Sequence, residues 1–220
     1  MTSTAVEELV IPLFPLPNMV FFPKTRVPLH IFEPRYREMV ADALDSDPRI
    51  GIVLLKPGWE ADYLGTPQLY TCGTVGTIEQ AVSLEDGRYN ILLHGDRRFR
   101  IVEELSSAPY RTARVVAQPE PDPSPDEAWA QREWLADLSR HYLEYLPGQM
   151  DVPEIETVGL DALTNALVMS LNIDVEEKQR LLEIDDLLLR SESVGSELQG
   201  RIESLRFLSP FRRSGDPAQN

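Results

Sequence analysis

The amino-acid sequence is poor in cysteine and has no long apolar segment. Its one cysteine, Cys72, cannot form a disulfide within the chain, which favours a reducing, cytoplasmic location. No stretch approaches about 18 uninterrupted apolar residues, so the sequence predicts no membrane span. The opening decapeptide, MTSTAVEELV, has no basic region followed by an apolar run. It does not resemble a secretion signal, and we expect no membrane partner.

Lysine is also scarce, and no lysine lies in a nucleotide-binding motif. The three lysines, Lys24, Lys56 and Lys178, follow proline, leucine and glutamate. A phosphate-binding P-loop needs a lysine directly after glycine, because the loop backbone and the lysine hold the phosphates together. The sequence also lacks the G-x-S-x-G turn of α/β-hydrolases. It therefore predicts neither a classical P-loop nor that type of serine nucleophile.

The three histidines are too far apart in sequence to form a recognisable metal motif. His30, His94 and His141 do not have the short spacing of ligand pairs, so we predict no metal and no cofactor. An enzyme with a site assembled from distant residues stays an alternative. In it, His30 with Glu33 provides acid–base chemistry. His94 with Asp96 is the other candidate pair, and nothing in the spacing favours either pair over capping and turn roles.

Acidic residues outnumber basic ones, and the excess lies in the second half of the chain. The net charge is −15. Residues 1–118 contain 12 basic and 15 acidic side chains, whereas residues 119–208 contain 7 basic and 20 acidic ones. The second segment repels polyanions, so nucleic acid is an unfavoured partner of the whole protein.

Residues 1–118 have the pattern of a small β-barrel. Short β-branched or apolar runs recur, and the tripeptide EDG is a hairpin signal between two of them. We predict six or seven strands joined by tight turns, which is typical of a partly closed barrel. One early helix interrupts them, because Pro34 suits a first helical turn and apolar residues then repeat at helical spacing. Its predicted buried stripe is Tyr36, Met39, Val40, Ala43 and Leu44.

Residues 119–208 have the pattern of a helical bundle. The proline-rich segment PEPDPSPDE is a stiff boundary before it. We predict that the first helix is capped by Ser124, with Pro125 in the first turn and Glu127 completing a capping box. Leucines at helical spacing predict four helices in all.

The third predicted helix contains Leu181 and Leu182 and is assigned to this bundle. A capping box at its start, formed by Asp174 and Glu177, is expected from the same spacing. The chain is therefore expected to have an α+β fold, a barrel followed by a bundle, with a disordered tail over residues 209–220.

Four stretches of the sequence resemble, in order, the N-terminal substrate-binding domain of ATP-dependent Lon proteases. They are IPLFPLPNMVFFPKTRVPLHIFEPRYREMVADAL, CGTVGTI, GRYNILLHGDRRFRI and EKQRLLEIDDLLLR. The resemblance covers about residues 9–207, and the EPRY wording is closest to small free-standing Lon-domain proteins of bacteria. It implies a PUA-like β-barrel followed by a helical bundle.

The resemblance also implies a function in protein quality control. It predicts a non-catalytic module that binds unfolded or degron-bearing polypeptides, with the function of an adaptor and with a separate Lon-type protease as a candidate partner. A full Lon protease continues into an ATPase module and a Ser–Lys peptidase module, and neither is found within these 220 residues. We therefore expect this chain not to be an enzyme.

The segment 11–40 is the candidate polypeptide-binding region, with six prolines and four phenylalanines. Pro15 and Pro17 are expected to interrupt its first strand, because proline has no backbone donor. The side chains expected to be mostly core are Phe14, Val20, Phe32 and Tyr36. The candidate polypeptide-binding surface comprises Met19, Phe21, Phe22 and Pro23. Methionine and phenylalanine suit varied apolar partners. The favoured interpretation is nevertheless that all three large side chains pack inside the barrel or against the helices.

A short basic cluster supports a different function, that of an RNA-binding PUA-like protein. Arg97, Arg98 and Arg100, with Phe99 between them, form the candidate polar or nucleic-acid surface. Arginines after a turn also commonly pair with nearby acidic side chains, and such surface pairs need no ligand. The sequence leaves both a monomer and a homodimer open.

Overall fold

The chain forms two compact units with an α+β fold. The computed structural model describes residues 8–62, 65–105, 109–145, 155 and 157–212. The first unit contains residues up to Glu120 together with Ile173–Asp185. The second contains Pro121–Asn172 and the segment from Asp186 onward. No helix within the described ranges combines the length and the hydropathy that crossing a membrane requires.

Six strands form the sheet of the first unit. They are β1 (Glu8–Leu16), β2 (Arg26–Ile31), β3 (Arg49–Leu55), β4 (Leu69–Ser83), β5 (Tyr89–Leu105) and β6 (Thr112–Ala117). They pair in the order β2-β5-β4-β3-β1-β6, and β6 pairs again with β5. This last pairing closes five strands into a barrel and leaves β2 outside the ring as an edge strand.

The long strand β5 connects the barrel to β2. Its first part, from Tyr89 to His94, pairs with β2, whereas its last part, from Phe99 to Leu105, pairs with β6. β4 runs antiparallel beside both parts. A three-stranded sheet of β2, β5 and β4 therefore extends from the barrel.

The barrel interior is filled by alternate apolar side chains from the five ring strands. The cluster consists of Ile11, Leu13, Val53, Leu55, Leu69, Val75, Phe99, Ala113 and Val115. Each strand contributes at least one member, as expected for strands whose successive side chains point to opposite faces. Burial of this cluster removes apolar surface from water and stabilises the first unit.

β1 continues through Pro15, so the predicted interruption at this proline is wrong. The strand pairs with β6 through residues 8–12 and with β3 through residues 13–16. Beyond Leu13, β1 pairs among the described residues with β3 on one side and with no strand on the other. The donor that Pro15 lacks can therefore point to the unpaired side, where proline is tolerated in strands.

Five helices accompany the strands in the described part of the chain. They are α1 (Pro34–Asp45), α2 (Pro125–Tyr145), α3 (Leu160–Ser170), α4 (Val175–Glu183) and α5 (Leu187–Arg212), with a short 3-10 helix at Trp59–Asp62. α1 begins at Pro34 as predicted and buries Tyr36, Met39, Val40 and Ala43. Leu44 is 42% exposed, so its predicted burial is wrong.

The second unit is built from α2, α3 and α5. The capping box at the start of α2 is confirmed, since the Ser124 N–H donates to Glu127 Oε2 (3.1 Å) and the Glu127 N–H donates to Ser124 Oγ (3.4 Å). The unit buries Leu135, Tyr142, Leu163, Leu167, Val194, Leu198 and Ile202. α5 is helical to Arg212, so the predicted tail begins too early, and residues 213–220 lie outside the described residues.

α4 belongs to the first unit, which corrects its assignment to the bundle. Its start is at Val175 after Asp174, but the Asp174 side chain makes no capping hydrogen bond. Glu177 instead pairs with Arg180. The physical reason for the assignment is a set of hydrogen bonds between the end of α4 and strands β4 and β5, described below.

Candidate functional site

The two adjacent phenylalanines of the opening segment are buried. Phe21 is 1% exposed and Phe22 is 0% exposed, so they do not form the candidate exposed surface, and the interpretation that they pack inside the protein holds for both. The Thr74 hydroxyl donates to the Phe21 carbonyl (2.6 Å), and the Thr25 hydroxyl donates to the Phe22 carbonyl (2.6 Å). These bonds satisfy irregular backbone that has no strand partner. The remaining members of the predicted surface are half-buried: Met19 and Pro23.

Gly95 allows this segment to lie directly on β5. A Cβ atom at Gly95 would be 2.3 Å from the Phe22 carbonyl oxygen, so only glycine fits without displacement. The Gly95 N–H donates to the Thr25 carbonyl (2.9 Å), and the Gly95 carbonyl accepts from the Lys24 N–H (2.7 Å). Lys24 and Thr25 of the opening segment are therefore both bonded to Gly95 of β5.

Phe32 is exposed, and the prediction that it lies in the core is wrong. Its side chain is 61% exposed, whereas Phe14, Val20 and Tyr36 are buried as predicted. Along β2 the side chains of Arg26, Pro28 and His30 point outward. Phe32 follows in the same alternation, so it lies on the outward side of the chain.

Phe32 adjoins an outward face of the three-stranded sheet, which we call the β2 face. Pro28 lies opposite Leu92, which lies opposite Gln80. His30 lies opposite Asn90, which lies opposite Val82. Side chains directly opposite on neighbouring strands are in contact range. The β2 face therefore comprises Pro28, His30, Phe32, Gln80, Val82, Asn90 and Leu92.

The apolar side chains of the β2 face are accessible. Val82 is 57% exposed, and the Phe32 ring stacks on the His30 ring with centroids 6.3 Å apart. The opposite side of the same strands is buried through Val27, Ile31, Ile78, Ile91 and Leu93. The face is thus an exposed surface on a packed sheet.

The polar groups of the β2 face are largely satisfied by one another. The distance from His30 Nδ1 to Asn90 Oδ1 is 2.7 Å, and that from Arg88 Nη1 to His30 Nε2 is 3.1 Å. A guanidinium only donates, so His30 Nε2 accepts and Nδ1 carries the proton. Arg88 also pairs with Asp86 (2.6 Å). These contacts hold the imidazole in one orientation beside Phe32.

An ion pair lies at the far end of this face. The Arg26 guanidinium donates to both carboxylate oxygens of Glu79, at 2.8 and 2.9 Å. These hydrogen bonds lower the pKa of Glu79 and raise that of Arg26. Arg26 and Glu79 thus neutralise each other beside the β2 face, whose own members have no acidic side chain.

The first unit has a second exposed apolar pair, at Val10 (61%) and Val102 (55%). Val10 lies opposite Arg114 on β6, and Arg114 forms an ion pair with Glu103 (2.8 Å). A charged pair therefore lies beside these valines, which makes this region less suited to an apolar ligand than the β2 face.

Arg98, predicted as part of an exposed basic surface, is buried. It is 2% exposed and donates through Nη1 to the carbonyls of Leu182 (3.0 Å) and Ile184 (3.1 Å) and to Asp185 Oδ1 (2.9 Å). Its Nε lies 3.5 Å from Glu120 Oε2. Arg98 thus joins the end of α4 to the barrel.

The basic cluster therefore does not form one surface. Arg97 is half-buried and Arg100 is exposed, with the buried Arg98 between them. An RNA-binding surface formed by all three side chains is contradicted by this arrangement. No nearby residue in the sequence distinguishes Arg98 from Arg97 and Arg100, because α4, which binds Arg98, follows some 80 residues later.

Cys72 is also covered by α4. The Gln179 side-chain amide donates to the Cys72 carbonyl (3.1 Å), and the thiol lies 4.0 Å from the Leu182 carbonyl. Burial raises the pKa of the Cys72 thiol to about 11, with nearby Arg98 acting in the opposite direction. The thiol is therefore neutral at physiological pH and is not a reactive nucleophile.

The candidate acid–base pairs are not formed. His30 contacts Asn90 and Arg88, whereas Glu33 pairs with Arg35 (2.9 Å). Asp96 accepts from the Thr77 hydroxyl (2.7 Å), and His94 Nδ1 lies 4.0 Å from a Glu79 oxygen. In the part of the chain that the structure describes, no three His, Cys, Asp or Glu side chains converge as metal ligands.

Comparison with known proteins identifies relatives along nearly the whole chain. Residues 10–200 match the family described as the ATP-dependent protease La (LON) substrate-binding domain. The chain is 34% identical over 204 residues to Lon protease 2 of Myxococcus xanthus and 30% identical over 204 residues to Lon protease of Anaeromyxobacter dehalogenans. Each alignment covers 90% of this chain and 24% of the relative. The chain thus spans about a quarter of the length of these relatives.

Two solved structures share the fold. The N-terminal domain of Mycobacterium avium complex Lon protease superposes with a TM-score of 0.70 at 16% identity, covering 87% of this chain and 98% of that domain. A Lon N-terminal domain protein from Xanthomonas campestris gives a TM-score of 0.61 at 22% identity, covering 84% of this chain and 96% of the other. The architecture predicted from the sequence motifs is confirmed by these likenesses.

Proposed function

Because the chain belongs to the family of LON substrate-binding domains, we propose that it binds unfolded or degron-bearing polypeptides through the β2 face. The observation that supports this site is the exposure of Phe32, at 61%, on the same face of the sheet as the exposed Val82. Unfolded polypeptides present apolar side chains that folded proteins bury. Contact between such side chains and this face removes apolar surface of both from water.

The β2 face is suited to binding because its support is rigid. Its strands are paired along their length, and the side chains beneath it are packed in the interior. Little ordering of the binding surface is then required when a ligand arrives. A flexible polypeptide pays its own ordering cost, so we expect affinities in the micromolar range rather than the nanomolar range.

We further propose that this chain contributes recognition and not catalysis. The matched family is a binding domain, and the curated relatives are about four times as long as the region they share with this chain. A separate Lon-type protease is then a candidate partner to which the chain delivers substrates as an adaptor. A cytoplasmic location and a monomeric or homodimeric state stay predictions of the sequence.

The test is a binding titration with a permanently unfolded protein. Fluorescently labelled, reduced and carboxymethylated α-lactalbumin is titrated with the full chain without nucleotide, and fluorescence anisotropy is measured. We expect saturable binding to the unfolded probe and no binding to the native, disulfide-bonded protein. Absence of binding up to roughly 100 μM, an affinity weaker than about −5.5 kcal/mol, contradicts the proposal.

Paired variants locate the surface. The double substitution Phe32→Ser/Val82→Ser is expected to weaken binding about tenfold or more, equivalent to about 1.4 kcal/mol. The matched control, Val10→Ser/Val102→Ser, removes two valines of similar exposure elsewhere on the first unit. Equal loss of affinity in the two double variants would argue against the β2 face as the site.

A further inference from the structure

β2 has one open hydrogen-bonding side. Among the described residues it pairs with β5 and with no other strand. Such an edge presents backbone N–H and C=O groups that can pair with another extended chain. The edge borders the β2 face, so a ligand on that face lies close to these groups.

The pairing geometry indicates which backbone groups point to the open side. Extension of the β2–β5 register places Thr25 opposite Gly95, and the Gly95 N–H donates to the Thr25 carbonyl (2.9 Å). Thr25 and Gly95 share this one bond, because the Gly95 carbonyl accepts from the Lys24 N–H instead (2.7 Å). The bond still shows that Thr25 directs its backbone toward β5, and this direction alternates from residue to residue along an antiparallel ladder. Every second residue from Thr25 onward therefore bonds to β5. The residues between them direct their backbone groups away from β5: Arg26, Pro28 and His30.

Pro28 fits this assignment and limits what can pair with the edge. It has no N–H, and at this position the missing donor breaks no bond to β5. The open edge thus offers two donors, from Arg26 and His30, and three carbonyl acceptors. A second copy of β2 paired antiparallel about Pro28 would lose both bonds of the central pair. The edge therefore favours a different strand over self-association.

We propose that a bound polypeptide adds to the sheet as an extended strand along the open edge of β2. This inference rests on the proposed function and specifies its binding mode. The backbone of the ligand bonds to Arg26, Pro28 and His30, so this part of the affinity does not depend on sequence. Every second ligand side chain lies on the β2 face beside His30 and Phe32, where apolar residues are preferred.

The mode also defines a class of ligand. Opposite Pro28 the ligand residue donates its N–H to the Pro28 carbonyl, while its own carbonyl stays in water. A ligand residue with no N–H at that position loses this bond. The preferred ligand is therefore an extended segment of alternating apolar residues that lacks proline at the donating positions.

Hydrogen exchange of backbone amides tests the binding mode directly. The chain, labelled with 15N and 13C, is saturated with reduced, carboxymethylated α-lactalbumin, and exchange is followed by NMR. We expect the exchange rates of the Arg26 and His30 amides to fall by a factor of about ten or more, because new hydrogen bonds protect them. The Leu29 and Ile31 amides, already bonded to β5, should change little.

The outcomes separate this inference from the proposed function. Binding with protection of Arg26 and His30 supports strand addition. Binding that shifts the Phe32 and Val82 side-chain signals without amide protection overturns strand addition and leaves the proposed function standing. Absence of binding overturns both.

A pair of substitutions at one position gives a second readout. His30→Pro removes an open-edge donor but no bond to β5, whereas His30→Ala removes the imidazole and keeps the N–H. We expect the proline variant to bind the same probe about tenfold more weakly than the alanine variant. Circular dichroism confirms that both are folded. Equal affinity of two folded variants would contradict strand addition.

Discussion

The Phe32 ring lies against the His30 imidazole, with 6.3 Å between centroids and 24° between ring planes. These two residues, two positions apart in the chain, both point outward and form a small aromatic surface. His30 is held there by Asn90 and Arg88, and Phe32 stays exposed. Exposed aromatic surface of this kind contributes little to the stability of a free protein. Its consequences should therefore be found in binding and not in folding.

The first prediction separates the two roles of phenylalanine in the opening segment. Phe21→Ala should lower the free energy of unfolding by about 3–5 kcal/mol, because it leaves a cavity in the core. Phe32→Ala should change it by less than about 0.5 kcal/mol, because the ring is mostly in water. Urea unfolding followed by circular dichroism measures both. Similar losses in the two variants would show that the burial assigned to these residues is incorrect.

The second prediction concerns the contact between Arg98 and α4. Arg98→Met leaves the carbonyls of Leu182 and Ile184 without their donor, and the expected loss of stability is about 2–3 kcal/mol. Arg98→Lys keeps the charge but not the planar fork, so an intermediate loss is expected. The control, Arg100→Met, changes an exposed arginine two residues away and should cost less than about 0.5 kcal/mol. If Arg98→Met were as stable as the control, α4 would be held by other contacts.

A third prediction tests the close approach at Gly95. In Gly95→Ala the new methyl group meets the Phe22 carbonyl oxygen, and overpacking of this kind typically costs about 1–3 kcal/mol. Gly200→Ala is expected to change stability in the opposite direction, because nothing lies within 4 Å of a Cβ at this position of α5. It should raise stability by about 0.5–1 kcal/mol through helix propensity. Thermal melts of both variants measure the difference, and a neutral Gly95→Ala would contradict the close approach.

Cys72 gives a prediction about pH. Its pKa is raised from 9.0 to about 11 by burial, so the folded state holds the thiol proton at pH values where the unfolded chain releases it. The stability contributed by the neutral thiol is complete below about pH 9 and falls as the pH rises toward 11. Relative to Cys72→Ala, wild type should lose on the order of 2 kcal/mol across this window.

The same burial predicts slow modification of the thiol. At pH 8 a thiol-specific reagent should label the native protein only as fast as it unfolds, and it should label the urea-unfolded chain rapidly. Rapid labelling of the native protein at pH 8 would show that Cys72 is accessible. For the preceding prediction, an equal dependence of stability on pH in wild type and Cys72→Ala would show that the pKa of Cys72 is not raised.

Local patterns in the sequence predicted the regular elements well. The helical repeat from Pro34, the capping box at Ser124 and the strand-rich first half all depend on residues close together in the chain, and they are confirmed. The alternation of Arg26, Pro28 and His30 also contained the information that Phe32 faces outward. The hydrophobicity of Phe32 predicts burial and its place in the alternation predicts exposure, and the structure follows the alternation.

Other features depend on tertiary contacts that no local pattern contains. Phe21 and Phe22 are both buried although adjacent, because they lie outside any strand and the alternation rule does not apply to them. α4 has the leucine spacing of its neighbours, but its contacts with Arg98 and Cys72 associate it with the first unit. Arg98 differs from Arg97 and Arg100 through the same contacts.

The measurement that tests the central claim most directly is site-specific photo-crosslinking. A photoreactive phenylalanine analogue is placed at position 32 in one sample and at position 10 in another, since both positions are exposed on the first unit. With an unfolded, radiolabelled polypeptide, we predict strong crosslinking from position 32 and little from position 10. Equal crosslinking from both positions, or none from position 32 under conditions where the polypeptide binds, would contradict the assignment of the β2 face as the polypeptide-binding surface.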